Sequence, residues 1–278
     1  MSLADRRNFG PLVSGAALQA QLDRVRVVDV RWYLTSPDGR SGHQAYRAGH
    51  IPGAVWFDID SDLSDPATAA TGRHPLPSPE RFAAALGRVG ISPGDPVVAY
   101  DDAGGSIAAR LWWLLHVLDE PVAVLDGGID AWPGPVVVDE PAYDPVVRTP
   151  RDWPVHRFAS AEQVASTDAV VYDARTAQRY ACGAEGLDPR PGHIPGALSA
   201  PWADNLDVDG RFRSPGQLRE RFAAAAAAHR PAIAYCGSGV TACHDLLALH
   251  LAGAHDLALY PGSWSQWGAD PSRPAESP

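Results

Sequence analysis

The chain has 278 residues, 45% of them hydrophobic and 20% charged, the proportions of a folded globular protein with one large domain or two ordinary ones. Its 23 cationic side chains are all arginine and face 33 acidic ones, for a formal net charge of −10. That balance leaves no basic footprint for nucleic acid, and the lack of lysine excludes Schiff-base chemistry and a Walker-type phosphate loop.

The opening Met1-Ser2-Leu3-Ala4-Asp5-Arg6-Arg7-Asn8 carries no apolar leader, and no apolar run reaches the ~18 residues of a membrane span, so a cytoplasmic protein is expected. Val25–Val30 reads as a buried strand, followed by Gly49-His50-Ile51-Pro52-Gly53-Ala54. Ser78 caps a helix predicted over 78–89, and strands over Val97–Tyr100 and Val122–Leu125 flank a helix over 105–118. Residues 133–154 hold six prolines and read as an extended linker. The same succession then returns, with strands over Ala169–Asp173, Ala232–Tyr235 and Leu257–Tyr260 and helices over 214–229 and 241–251. A proline-rich tail from Gly268 is expected to be loose.

Gly-His-Ile-Pro-Gly-Ala recurs identically at 192–197. Val28-Asp29-Val30-Arg31 is matched by Tyr172-Asp173-Ala174-Arg175, Tyr100 by Tyr235, Gly128 by Gly262 and Trp132 by Trp267. This collinear order makes the chain two copies of one α/β domain, each a parallel sheet flanked by helices, over residues 10–132 and 159–268 with a linker at 133–158.

The copies diverge after the matched tyrosines. The first continues Asp101-Asp102-Ala103-Gly104-Gly105-Ser106, the second Cys236-Gly237-Ser238-Gly239-Val240-Thr241-Ala242. Cys236 falls at the carboxyl end of a strand and ahead of a helix, where open α/β sheets bind ligands. Gly237 and Gly239 let successive N–H groups curl toward the sulfur as an anion nest, which favours a reactive thiolate. Cys243 reads as core packing and Cys182 as a surface position. With no CxxC pair, HExxH or His-rich cluster, neither a metal nor another cofactor is expected. Gly237-x-Gly239-x-x-Ala242 also fits a dinucleotide fingerprint, but the next acid, Asp256, lies at the start of the following strand rather than its end. A cysteine-phosphatase loop is disfavoured because Ala242 stands where its arginine is needed.

Two Gly-His-Ile-Pro-Gly-Ala halves, the acidic first loop, the loop from Cys236 to Thr241, and Tyr260-Pro261-Gly262-Ser263-Trp264-Ser265-Gln266-Trp267 together resemble the tandem-domain rhodaneses. These are the thiosulfate and 3-mercaptopyruvate sulfurtransferases. The resemblance implies a five-stranded parallel sheet in each half, a non-catalytic first half, and a Cys236 persulfide charged by 3-mercaptopyruvate or thiosulfate and discharged to cyanide or a thiol. It further implies that the backbone of Gly237, Gly239, Val240 and Thr241 holds the terminal sulfur and that Arg179 binds the anionic donor. Arg190 substitutes for a second substrate arginine, and Ser238 and His50 relay protons. Arg175, matched by Arg31, is expected to tie its strand end to a neighbouring acid. The alternative is a sulfur-relay or regulatory module that hands persulfide sulfur to a partner protein.

Overall fold

The computed structural model describes residues 10–277 apart from 37, 38 and 69, so the reading of Met1–Asn8 lies outside the described residues. The chain separates into two compact units, Met1–Asp65 with Pro77–Trp153, and Pro66–Leu76 with Pro154–Pro278. The second unit thus includes the short segment Pro66–Leu76 together with the residues from Pro154 onward.

The first unit runs β1 (Leu12–Val13), α1 (Gly15–Gln19), β2 (Arg26–Asp29), α2 (Gly42–Ala48), β3 (Val55–Trp56), α3 (Pro79–Arg88), β4 (Val97–Tyr100), α4 (Ala108–His116) and β5 (Val122–Leu125). Its sheet is fully parallel in the order β1-β5-β4-β2-β3. Every residue of β4 and β5 is buried, which is why these strands read as unbroken apolar runs rather than alternating ones. Ser78 Oγ accepts the Arg81 N–H and Pro79 opens α3, so that helix starts where its cap predicts.

The second unit runs α5 (Ala161–Ala165), β6 (Val170–Asp173), α6 (Ala177–Cys182), β7 (Leu198–Ser199), α7 (Pro215–Arg221), β8 (Ala232–Tyr235), α8 (Ala242–Leu251), β9 (Leu257–Leu259) and α9 (Ser263–Trp267). Its parallel sheet has four strands, β7-β6-β8-β9. The expected fifth strand shrinks to one parallel bridge, Phe158 to Leu259, because the chain before it is a 3₁₀ turn after Pro154 and Ser160 already caps α5. The helix predicted over 214–229 stops at Arg221 despite the alanines that follow. From there wide turns, Ala228 N–H to Ala223 O and Arg230 N–H to Ala225 O, bury Ala225 and Ala226 and bring the chain back into β8; packing overrides helix propensity.

The segments read as an extended linker and a loose tail are both fastened. Val137 bridges His50, the Tyr143 hydroxyl donates to Gly53 O, and Arg148 pairs with Glu120 at 2.7 Å with both side chains nearly buried, so residues 133–153 strap the first unit. Glu276 bridges His193 in the same way and Trp267 Nε1 donates to Pro274 O, so the tail straps the second. Proline forbids a helix or central strand, but the intervening N–H and C=O groups remain free to pair.

Both units share one buried framework. Arg31 forks onto Asp29 and donates to Gly49 O; Arg175 forks onto Asp173 and donates to Gly192 O at 2.8 Å. The Tyr100 and Tyr235 hydroxyls hydrogen-bond the same aspartates and accept from Ile51 and Ile194 N–H.

Asp245 is a fully buried acid outside this framework. Asp245 on α8 accepts from Asn205 Nδ2 at 2.7 Å through Oδ1, while Oδ2 has no partner. Burial pushes its carboxyl up to about 8 against the opposing pull of Asn205. A folded-state value so far above the ~3.9 of an unfolded aspartate gives stability that is complete below the latter and is lost as pH rises through about 8. Asp245→Asn is therefore expected to melt about 5 °C above the parent near pH ~9, with less than a third of that gain near pH ~5, in thermal scans at the two pH values.

Candidate active site

β8 ends at Tyr235 and the chain turns through Cys236–Thr241 into α8. Gly239 lies at φ +80°, and a Cβ there would stand 2.7 Å from the Pro261 carbonyl oxygen, so only glycine fits. The turn aims the Gly239 N–H at Cys236 Sγ, 3.1 Å away. Val240 and Thr241 lead into α8, their carbonyls accepting from Cys243 and His244 N–H. Residues 260–267 clamp the loop from its other side. Cys236 N–H donates to Ser263 Oγ (3.1 Å), and the carbonyls of Cys236 and Gly237 accept from Trp264 and Ser265 N–H (2.9 Å each). Ser263 itself is held at φ +51° by donating to Tyr260 O. Cys236 ends up 2% exposed. Cys243 is buried and Cys182 exposed, as their positions predict.

In the first unit Asp101 takes the place of the cysteine. Its Oδ1 accepts from Ala103 and Gly105 N–H and its Oδ2 from Ile107 and Ala108 N–H, all within 2.9 Å. Burial raises its pKa while those four donors oppose the rise. Ile129 N–H donates to Asp101 O as Trp264 N–H does to Cys236 O, so the loop clamp is also duplicated.

Two guanidinium groups crowd the bare Cα of Gly237: a Cβ there would lie 2.7 Å from Arg179 Nη2 and 2.9 Å from Arg73 Nη2. Arg179, on α6, forks onto Asp188 at 2.6 and 2.9 Å. Arg73 arrives on the Pro66–Leu76 segment, its N–H donating to Ser265 Oγ (3.0 Å) and its Nη1 to Leu187 O. Burial and then the like charge of Arg179 lower its pKa, against the attraction of Cys236 and Asp188. Arg190, expected as a second substrate cation, donates from Nη2 to Arg273 O at 2.6 Å, and its guanidinium packs over the Trp264 ring. Arg175 is the strand-end tie foreseen for it, 2% exposed against Asp173.

The histidine on Ser238 is not the one the sequence suggests. His74 Nδ1 stands 2.7 Å from Ser238 Oγ, both residues buried. His50 is wholly buried in the first unit, its Nδ1 facing Tyr46 O (2.9 Å) and its Nε2 facing Asp139 O (3.2 Å), with its ring stacked on Tyr46. Its counterpart His193 stacks on Tyr180 and faces Tyr180 O. The repeated hexapeptide histidine is therefore a loop fastener in both halves. Arg73 and His74 escape sequence reading because their segment belongs by contact to the other unit; the available signal was adjacent Arg-His pinned between Gly72 and Pro75. Among the described residues no group of His, Cys, Asp and Glu is placed to hold a metal ion, and no helix is long and apolar enough to cross a membrane.

A "Probable 3-mercaptopyruvate sulfurtransferase" of Pseudomonas aeruginosa is 42% identical over 95% of this chain and 96% of its own length. A mouse "Thiosulfate sulfurtransferase" is 36% identical over 87% of this chain and 84% of its own. The crystal structure of SseA from Escherichia coli, described with the rhodanese fold of 3-mercaptopyruvate sulfotransferases, superposes with a TM-score of 0.78 at 32% identity, covering 92% of this chain and 99% of that one. The rhodanese-like domain matches twice, at residues 14–134 and 159–270, and a duplicated framework with a cysteine loop in only one copy fits that double match: the chain belongs to the rhodanese-like family as two tandem domains.

Proposed function

We propose that this sulfurtransferase moves the thiol sulfur of 3-mercaptopyruvate, as the sulfane sulfur of a Cys236 persulfide, to cyanide or a thiol, with thiosulfate a poorer donor. The two donors differ in what they demand. Attack of the Cys236 thiolate on thiosulfate expels sulfite, which leaves with the S–S bonding pair and needs no proton. Attack on the thiol sulfur of 3-mercaptopyruvate breaks a C–S bond and expels the enolate of pyruvate, which must be protonated at carbon. The donor's own S–H proton ends on the pyruvate methyl, leaving Cys236–S–S⁻. Cyanide then takes the outer sulfur as thiocyanate and restores the thiolate.

A proton relay is thus useful for one donor and idle for the other, and the Ser238–His74 contact at 2.7 Å is the observation that carries the preference. The Gly239 N–H and the neighbouring guanidinium groups favour the anionic sulfur. The free thiols Cys182, Cys236 and Cys243 suit a reducing compartment, which supports a cytoplasmic setting.

Kinetics with both donors and cyanide as acceptor test this reading. Wild-type kcat/KM should favour 3-mercaptopyruvate, and His74→Ala should lower it by about 10²-fold for that donor while changing thiosulfate turnover by about threefold or less. Equal losses for both donors, or wild-type preference for thiosulfate by about tenfold, would refute the proton-relay reading.

A further inference from the structure

Ser263 is fully buried and carries a side chain, yet its backbone lies at φ +51°, a region that among the described residues only Asp119 and His229 share with the glycines. Such a conformation persists only where its surroundings enforce it. The duplicated clamp provides an internal comparison. Ile129 N–H donates to Asp101 O as Trp264 N–H does to Cys236 O, which sets Gly128, at φ +62°, against Ser263 rather than against Gly262. A Cβ on Gly128 would stand 2.5 Å from Asp101 O, so the first copy is closed at this point. The copy with the cysteine is held open there by a strained serine.

The hydroxyl accounts for the strain. β8 and β9 pair in parallel, with Ala232 N–H donating to Asp256 O and Tyr260 N–H to Ala234 O. The next rung of that ladder would run from Cys236 N–H to Tyr260 O. Ser263 Oγ is inserted into it, accepting from Cys236 N–H at 3.1 Å and donating to Tyr260 O at 2.9 Å. One rung is lengthened by an oxygen atom, and the two strands part where Cys236 leaves the sheet. The loop that starts there brings the Gly239 N–H to Cys236 Sγ.

We propose that Ser263 is a positioning residue for Cys236: its hydroxyl, wedged between the carboxyl ends of β8 and β9, sets the angle at which the cysteine leaves its strand and so aims the sulfur into the N–H groups of the loop. It acts through the Cys236 backbone, and it rests on the sulfurtransferase reading through the role of Cys236 as nucleophile. Fixed donors stabilise an anion only when they are aimed at it, and a misplacement of about 1 Å can cost about 10²-fold in rate.

Ser263→Gly and Ser263→Ala, made in the full chain, separate the hydroxyl from the strain. Both lose the inserted oxygen, but glycine also relieves the backbone and lets the direct rung from Cys236 to Tyr260 close, so Ser263→Gly should melt several degrees above Ser263→Ala. Function should follow the hydroxyl instead. In both variants kcat for 3-mercaptopyruvate, with cyanide as acceptor, should fall by about 30-fold while KM changes by about threefold or less, and iodoacetamide should alkylate Cys236 about tenfold more slowly at neutral pH. Wild-type rates in Ser263→Gly, with the loss confined to Ser263→Ala, would make the serine a matter of stability alone and overturn the proposal, as would a loss that falls on KM in both. Alkylation needs no donor, so failure of the wild type to form a cyanide-labile persulfide with 3-mercaptopyruvate would overturn the sulfurtransferase reading while the placement of Cys236 is still measured.

Discussion

Cys236→Ser should abolish sulfur transfer from either donor, with kcat/KM falling by about 10⁴-fold or more, to the level of the buffer reaction. A serine fits the loop, and its oxygen can still accept the Gly239 N–H that now points at sulfur, so the fold should survive. What is lost is the nucleophile, because an alcohol is not ionised at neutral pH and does not form a sulfur–sulfur bond. The other thiols offer no substitute. Cys243 is fully buried with its S–H turned to Gly239 O, and Cys182 sits exposed on α6. Nor does the first unit, whose matching position is the carboxylate of Asp101. Intact-mass measurement after donor treatment should show a cyanide-labile gain of one sulfur in the wild type and none in the variant. A gain that persists in Cys236→Ser would move the carrier to another thiol.

Arg175→Leu should produce the largest loss of stability. The guanidinium meets Asp173 and Gly192 O with no exposed side-chain surface, and packs 4.8 Å from the centre of the Trp264 ring. Burial works against its charge, but the hydrogen bond and charge of Asp173 outweigh it and raise the pKa. Leucine would fill much of the volume yet leave the Asp173 side chain buried and short of its main partner, a defect of about 3–5 kcal/mol. Thermal melts should fall by roughly 10 °C. Arg47→Ala provides the contrast, since its pair with Glu140 at 3.9 Å is exposed on both sides; a change of about 1 °C or less is expected. A similar small change for Arg175→Leu would show that the fork does not hold the unit together.

The parts of the fold visible in the sequence are those whose physics is local. β2, β4, β5, β6, β8 and β9 appear as apolar runs because parallel strands are buried on both faces. The edge strands β1, β3 and β7 are two residues each, too short for any periodicity to register. Cys236 was legible because its glycines, its strand and its helix are contiguous. Arg73 and His74 were not, because they lie more than 160 residues from Ser238 in sequence and reach the loop through contacts that no spacing encodes. His50 misled for the opposite reason: a repeated motif marks what both halves need, and both halves need its histidine for packing.

The Asp101 loop has a bearing on the reaction cycle of its sister. Counted in bonds, a side-chain oxygen of Asp101 stands as far from its Cα as the outer sulfur of a persulfide would from the Cα of Cys236. On the proposed persulfide cycle, the first copy is thus a permanent cast of the loaded state, its carboxyl group fixed in the cradle that the second copy would fill and empty at each turnover. The cast has four amides on its carboxyl group, whereas Cys236 has the Gly239 N–H at its sulfur. By the repeat, the counterparts of Ala103 and Gly105 are Ser238 and Val240, whose amides are expected to engage the second sulfur on the proposed persulfide cycle. Loading should therefore stiffen the loop, and the enzyme at rest between donor and acceptor should be its more ordered form.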